Sequence, residues 1–339
     1  MICPECSQVI KHKYASTWGS GTLKCTYCNY VFALDPKTMG FGDRRVLKVA
    51  DKLSKGGERY FTEQQLACAC LLKKERSPQF ASAMGCGCAG FVATFVIVAG
   101  AMEALPGLGL FIFALIIGLV CAITALNTRP ANKIWLGVQK YCQKKGHPFL
   151  ITPTGAKAII DRLLKKDKLS FEDFHPDKAL IVDDVEFVAL LLLNNFHRDS
   201  NCLVLDVNNV SGPFYDYFVK RQTSDEKLAV FAVHDGGRKE ELMVDQIRNN
   251  PKWIGCEEIT DLGLTREALS TYKRGTWIDE KTGIVTDHKP KKIDGKYDLN
   301  WVYPIDCIPP DKLNISLNAC IAGGCVMLSP QMFAAIGTG

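Results

Sequence analysis

Two hydrophobic rhythms alternate between residues 178 and 264. Runs that are apolar throughout occur at KALIVDD (178–184), CLVLDV (202–207) and LAVFAVHD (228–235), with a short EEIT (257–260) after them. Between them lie VEFVALLLLNNF (185–196), GPFYDYFVKRQ (212–222) and KEELMVDQIRNN (239–250), which read as helices. Strands without a polar face, separated by helical crossovers, predict an α/β domain with a mainly parallel sheet covered on both sides. Beyond it, GTWIDEKTGIVTD predicts a β-hairpin around Lys281 to Gly283, and the uncharged stretch from Leu313 a docked C-terminal helix and tail.

Upstream the pattern changes twice. Val46, Leu47, Val49 and Leu53 supply the apolar side of one short helix, and Thr62 with Gln65 three positions on has the form of a capping box opening a second. From Ser77 to Thr128 the only charge is Glu103, with 26 uncharged residues before it and 25 after. Each run exceeds the roughly 20 residues a helix needs to cross a bilayer. A two-helix transmembrane hairpin turning near Pro106 is therefore expected. Gly85, Gly87 and Gly90 would let it pack closely, within itself or between protomers. Lys73, Lys74 and Arg76 precede the hairpin, and Arg129 and Lys133 follow it, which puts both termini on the cytoplasmic side of the plasma membrane. The basic ANKIWLGVQKYCQKKG and GAKAIIDRLLKKDK then read as a helical linker, able to lie against anionic head groups or to present a solvated face. The expected organisation is a zinc ribbon (1–38), a helical connector (39–78), the hairpin (79–128), the basic linker (129–177) and the α/β domain (178–339).

Charge refines this picture. The net charge of +5 is modest for a nucleic-acid binder, but its distribution is uneven. Residues 1–76 carry 13 Lys and Arg against 7 Asp and Glu, while residues 181–247 carry 6 against 12.

Cys3, Cys6, Cys25 and Cys28 form two C-x2-C knuckles 18 residues apart. Two such knuckles make a closed four-thiolate site, which predicts a structural Zn²⁺ in a ribbon of short strands. Lys11, His12, Lys13, Tyr14, Trp18 and Lys24 decorate it and would suit either nucleic acid or protein. The other cysteines lie in apolar runs, where they read as small hydrophobes in a reducing cytosol.

All three main strands end in polar residues: Asp183 and Asp184, Asp206 and Asn208, His234 and Asp235. That rim is where ligands bind in open α/β sheets. Such carboxylates also cap the next helix, and Asp235 before its glycines is open to that reading. Residues 178–264 hold no G-x-x-x-x-G-K-[ST], no G-x-G-x-x-G and no G-x-S-x-G.

The segments ALIVDDVEFVALLL, VFAVHDGGRKEE and DLGL resemble a Toprim domain, of the kind found in the topoisomerase VI A subunit and the meiotic double-strand-break endonucleases. The resemblance covers about 85 residues. It implies a first metal-binding acid at Glu186 or, by strand position, Asp184, and a second at Asp235, with Mg²⁺ as cofactor. The pattern departs where the family has a further Asp: Gly237 stands there, followed by Arg238 and Lys239. The family also uses a nucleophilic tyrosine, for which Tyr60 is the candidate. These departures make a degenerate Toprim-like domain the expectation.

The functional expectation is a membrane-anchored, cytosol-facing adaptor or sensor without catalysis, recruiting a protein partner or a second copy of itself. Antiviral defence assemblies are its nearest analogy. The alternatives are a Mg²⁺-dependent nuclease working through Glu186 and Asp235 with Asp184 or Asp206, and a nucleic-acid-binding module.

Overall fold

The computed structural model describes residues 2–10, 23–72, 131–165, 174–237, 242–265, 269, 274–288 and 300–323. Its centre is a four-stranded, all-parallel sheet of β3 (Lys178–Val182), β4 (Cys202–Asp206), β5 (Ala229–Val233) and β6 (Thr260–Asp261), in the order β4-β3-β5-β6. Val182 pairs with Asp206 on one side and Val233 on the other, so the ends of the three long strands lie level. The α/β class with a parallel sheet is thus what the chain adopts.

The crossovers follow the reading closely. Helix α6 (Val185–Leu193) joins β3 to β4, and Asp184 caps it by accepting from the Glu186 N–H at 2.8 Å. Asn195 then takes a left-handed φ of 60°, so the expected single helix breaks and a separate α7 (Phe196–Asp199) follows. Helix α8 (Pro213–Gln222) leads to β5 and α9 (Met243–Asn249) to β6. Phe218 of α8 meets Trp253, just after α9, ring to ring at 5.6 Å. Helix α5 (Pro153–Lys165) packs with α6, and α10 (Pro310–Gly323) buries Leu313, Leu317 and Cys320 in the same core.

A second core joins α2 (Asp43–Leu53), α3 (Glu63–Leu72) and α4 (Ala131–Lys144); a short α1 (Pro36–Met39) precedes them. Val46, Val49, Ala50 and Leu53 form the buried stripe of α2, at the helical spacing of a core-facing side. The capping box is present: Thr62 Oγ1 accepts from the Gln65 N–H at 3.1 Å, and Gln65 Oε1 accepts from the Thr62 N–H at 3.0 Å. Helix α4 turns Ile134, Trp135, Val138 and Tyr141 into this core. Its apolar side is spent on the protein.

The two cores are stitched together. Strand β1 (Phe61–Thr62) pairs in parallel with β2 (Leu150–Ile151), and Tyr60 exchanges two backbone hydrogen bonds with the Asn194 side chain at the end of α6. Cys68 of α3 is disulfide-bonded to Cys307, where free thiols were expected. The predicted hairpin forms as β7 (Arg274–Asp279) and β8 (Val285–His288), with β9 (Trp301–Val302) on the other side of β7.

Among the described residues no helix is long and apolar enough to cross a membrane. The longest of these, α4 and α10, have 14 residues each, about 21 Å at 1.5 Å per residue against a hydrocarbon core of about 30 Å. This corrects the expected transmembrane hairpin and the plasma-membrane localisation built on it. The residues assigned to that hairpin, 79–128, lie outside the described residues, as do 11–22 of the ribbon and Arg238 and Lys239.

Candidate functional site

The strand order β4-β3-β5-β6 reverses direction between β3 and β5. At that point the connections diverge to opposite faces and leave a crevice beyond the strand ends, the usual ligand position in open α/β sheets. Asp183 and Asp184 follow β3, Glu186 lies in the first turn of α6, Asp206 ends β4 and Asp235 follows β5. A sixth acid arrives from outside the sheet. Gly236 and Tyr303 form an antiparallel bridge, the Ile305 N–H donates to Asp235 Oδ1 at 2.7 Å, and the 3-10 turn Ile305–Cys307 brings in Asp306.

These acids perturb one another. Burial, then the charges of Asp184, Asp306 and Glu63, push Glu186 up to about 8. Asp306 rises to about 7 through burial and the charges of Asp184 and Asp183, against the opposing pull of the Thr62 hydroxyl and the Gln64 side chain. Asp235 rises well above the carboxylate range through burial and the charges of Asp183 and Asp306. Asp184 and Asp206 also rise, chiefly through burial. Such a concentration of raised carboxyls in a crevice marks a site poised to take positive charge.

One cation of the protein's own adjoins it. His234 is fully buried, with Nδ1 2.7 Å from the Asp235 carbonyl oxygen and Nε2 3.2 Å from an Asp261 carboxylate oxygen. Both neighbours are acceptors, so both nitrogens must carry protons and the ring is an imidazolium. Burial pulls its pKa down, but Asp261 and the Asp235 carbonyl outweigh that and the net shift is upward. Burial raises Asp261 in turn, and the His234 and Gly263 N–H groups bring it below its ordinary value. Gly263 makes room for the ring: a Cβ there would lie 2.3 Å from it. This accounts physically for the DLGL segment.

The structure distributes the predicted acids among several roles. Asp184 is a helix cap as well as a rim acid, and Asp206 closes its own turn by accepting from the Asn208 N–H at 2.8 Å. Asp235 Oδ1 accepts from the Ile305 N–H and so holds that segment; residues 238–241, which lead from it to the helix described from Met243, lie outside the described residues. Tyr60 has its backbone on Asn194 and its ring against Phe149. Sequence reasoning missed Asp306, the hydrogen bond that Thr62 donates to it and the His234–Asp261 pair. The one signal for Asp306 is an acid set inside the apolar, proline-flanked YPIDCIPP.

The four cysteines do converge. Their sulfurs all lie within 4.8 Å of one another, with Cys3 to Cys28 at 3.6 Å and Cys6 to Cys25 at 3.7 Å. Four bonds of about 2.3 Å to one tetrahedral zinc imply sulfur separations of roughly 3.8 Å, so the set fits that ion. The knuckles are near copies. Ser7 and Asn29 donate their N–H to the Cys3 and Cys25 carbonyls, and both take left-handed φ values, 58° and 60°. Beyond them the bridges Ile2–Val9 and Lys24–Val31 form among the described residues, where short strands were expected; residues 11–22 lie outside the described residues. Asp43 seats the ribbon on the helical core, accepting from the Ala33 and Leu34 N–H groups at 2.8 and 2.9 Å and from the Tyr30 hydroxyl at 3.0 Å.

The rim acids are wider apart. Among the described residues, no three of them bring ligand oxygens within 4.8 Å of one another as the four sulfurs do. The acids do not form a closed cage. Compared with family models, curated proteins and solved structures, the chain matches none.

Proposed function

We propose that the α/β unit is a Toprim-like, divalent-cation-dependent site acting on the phosphodiester backbone of nucleic acid, and that the four-cysteine ribbon holds a structural Zn²⁺. One observation carries the reading: Glu186, Asp184, Asp183, Asp235 and Asp306 meet at the reversal of strand order, where Glu186 is held at about 8 and Asp306 at about 7. Acids so raised are unfavourable as bare anions and are stabilised by an added cation. Glu186, Asp235 and Asp184 would hold Mg²⁺, which would offset the charge of a phosphate and polarise its oxygens. The imidazolium of His234 stays behind the rim and positions the Asp235 backbone.

The test is nicking of supercoiled DNA by the purified chain with Mg²⁺ or Mn²⁺, beside Glu186→Gln and Asp235→Ala. Cation-dependent nicking that falls by about 100-fold or more in Glu186→Gln supports the reading. Cleavage retained in both variants would clear this rim of responsibility.

A second reading, a non-catalytic adaptor for a protein partner or a second copy of the chain, is favoured by a different observation. One oxygen each of Asp184, Asp206 and Asp235 is already engaged by a backbone N–H of the protein. Failure of the wild type to bind cation or cleave would select it.

A further inference from the structure

We infer that Asp306, delivered by the C-terminal segment and not by the sheet, is a cation-binding residue of the rim, with Thr62 as the residue that positions it. This rests on the reading of the rim as a cation site and adds a ligand from a part of the chain that the sheet pattern does not contain.

Thr62 hydrogen-bonds in two directions. Its Oγ1 accepts from the Gln65 N–H at 3.1 Å, which places the acceptor side of the hydroxyl toward α3. The hydroxyl proton is then free to point the other way, and it donates to Asp306 Oδ2 at 3.1 Å. Gln65 Nε2 donates to the Ile308 carbonyl at 2.7 Å, and Cys68 is bonded to Cys307. Positions 62, 65 and 68 thus hold three successive points of the 306–308 segment, and the Asp306 side chain has its orientation set from α3.

Asp306 Oδ2 is therefore committed, and Oδ1 is not. Asp306 is 6% exposed, and its Oδ1 is buried without a hydrogen-bond partner. The Gln64 side chain also acts on the carboxyl as a hydrogen-bonding group and lowers its pKa, but it gives Oδ1 no partner at hydrogen-bond geometry. The charges about it are negative: Asp183 and Asp184 act on Asp306, and Asp306 acts on Glu186 and Asp235. A buried carboxylate oxygen with no donor, set among other acids, is disfavoured unless something positive meets it. Among the rim acids, Asp306 is the one with an oxygen held ready in this way, which suits it to direct binding. Asp184 and Asp206 are each half-occupied by their own turns.

The experiment is calorimetric titration of Mn²⁺ into the zinc-loaded full chain, comparing wild type with Asp306→Asn, with thermal melting of both in chelator. Mn²⁺ prefers oxygen to thiolate and leaves the ribbon alone. Asn keeps the shape and an acceptor for Thr62 while removing the charge. The expected result is wild-type binding, weakened at least about tenfold in Asp306→Asn, with a melting temperature equal to or above wild type. Equal Mn²⁺ affinity in the two proteins would overturn the role of Asp306 and leave the rim reading standing. No binding by the wild type would overturn both. Should Asp306→Asn fail to fold, Asp306→Glu, which keeps the charge but displaces the oxygens, carries the same comparison, and unchanged affinity there is the overturning result.

Discussion

Ile305 and Asp235 are 70 residues apart in sequence and joined by a 2.7 Å hydrogen bond from the Ile305 N–H to the Asp235 carboxylate. Ile305 is buried, so its N–H has no access to water if that acceptor is removed. Asp235→Ala should therefore destabilise the protein by about 1–3 kcal/mol in urea unfolding, whatever the rim does chemically. Asp235→Asn, which keeps an acceptor, should lose less. Equal stability of Asp235→Ala and wild type would show that the bond does not hold the segment.

Stability should depend on pH in a direction set by the raised acids. Glu186 moves from 4.5 up to about 8, and Asp306 from 3.8 up to about 7. The folded chain retains these protons at pH values where the unfolded chain has released them. Their contribution is present in full below the ordinary carboxylate range and is lost as pH rises through 7 to 8. In chelator the melting temperature should be higher at about pH 6 than at about pH 9. The double variant Glu186→Gln, Asp306→Asn should flatten that slope, because neither group then titrates. A slope as steep in the double variant would place its origin elsewhere; His234, whose shift has the same sign, is the next group to replace.

Zinc removal should act locally. The ribbon's own core is Cys3, Ile10, Cys25 and Phe32, too small to fold without a metal. Cys25→Ser should lose a stoichiometric zinc by metal analysis and become open to proteolysis among residues 2–34. The α/β core, which shares none of those residues, should melt within a few degrees of wild type. A collapse of the whole protein on zinc loss would mean that the Asp43 contacts transmit the ribbon's order further than this.

Gly263→Ala should be costly out of proportion to one methyl group. The added Cβ would lie 2.3 Å from the His234 ring, which is fully buried and held at both nitrogens. Displacing it should cost about 1–3 kcal/mol by overpacking and shift the imidazole resonances in NMR. Unchanged stability with unchanged imidazole signals would contradict the packing described.

Much of the sheet was legible because β3, β4 and β5 are short runs, apolar on both faces and carrying Val and Ile, that break off at polar residues. The rim acids declared themselves by standing at the ends of those runs. Asp306 did not, since it belongs to a 3-10 turn with no periodicity and is brought to the rim by the Gly236–Tyr303 bridge, a contact between distant segments. Asn195 reads as part of one helix because its left-handed backbone depends on a single residue. Helix α4 reads equally as lying against head groups or as presenting a solvated face, because its amphipathic stripe specifies a buried face but not what buries it. Asp43 passes for a surface charge, although it is fully buried under three donors.

The route by which Asp306 reaches the rim also sets an order of events during synthesis. The parallel strands emerge from the ribosome well before YPIDCIPP, and Ile305 follows Asp235 by 70 residues. A chain interrupted after β6 and before Ile305 carries the sheet, the helix caps and five of the six acids, but not the segment that Asp235 holds. Translation products aborted there are consequently missing a defined piece of the crevice, and the last carboxylate is installed only after the sheet that receives it has been made.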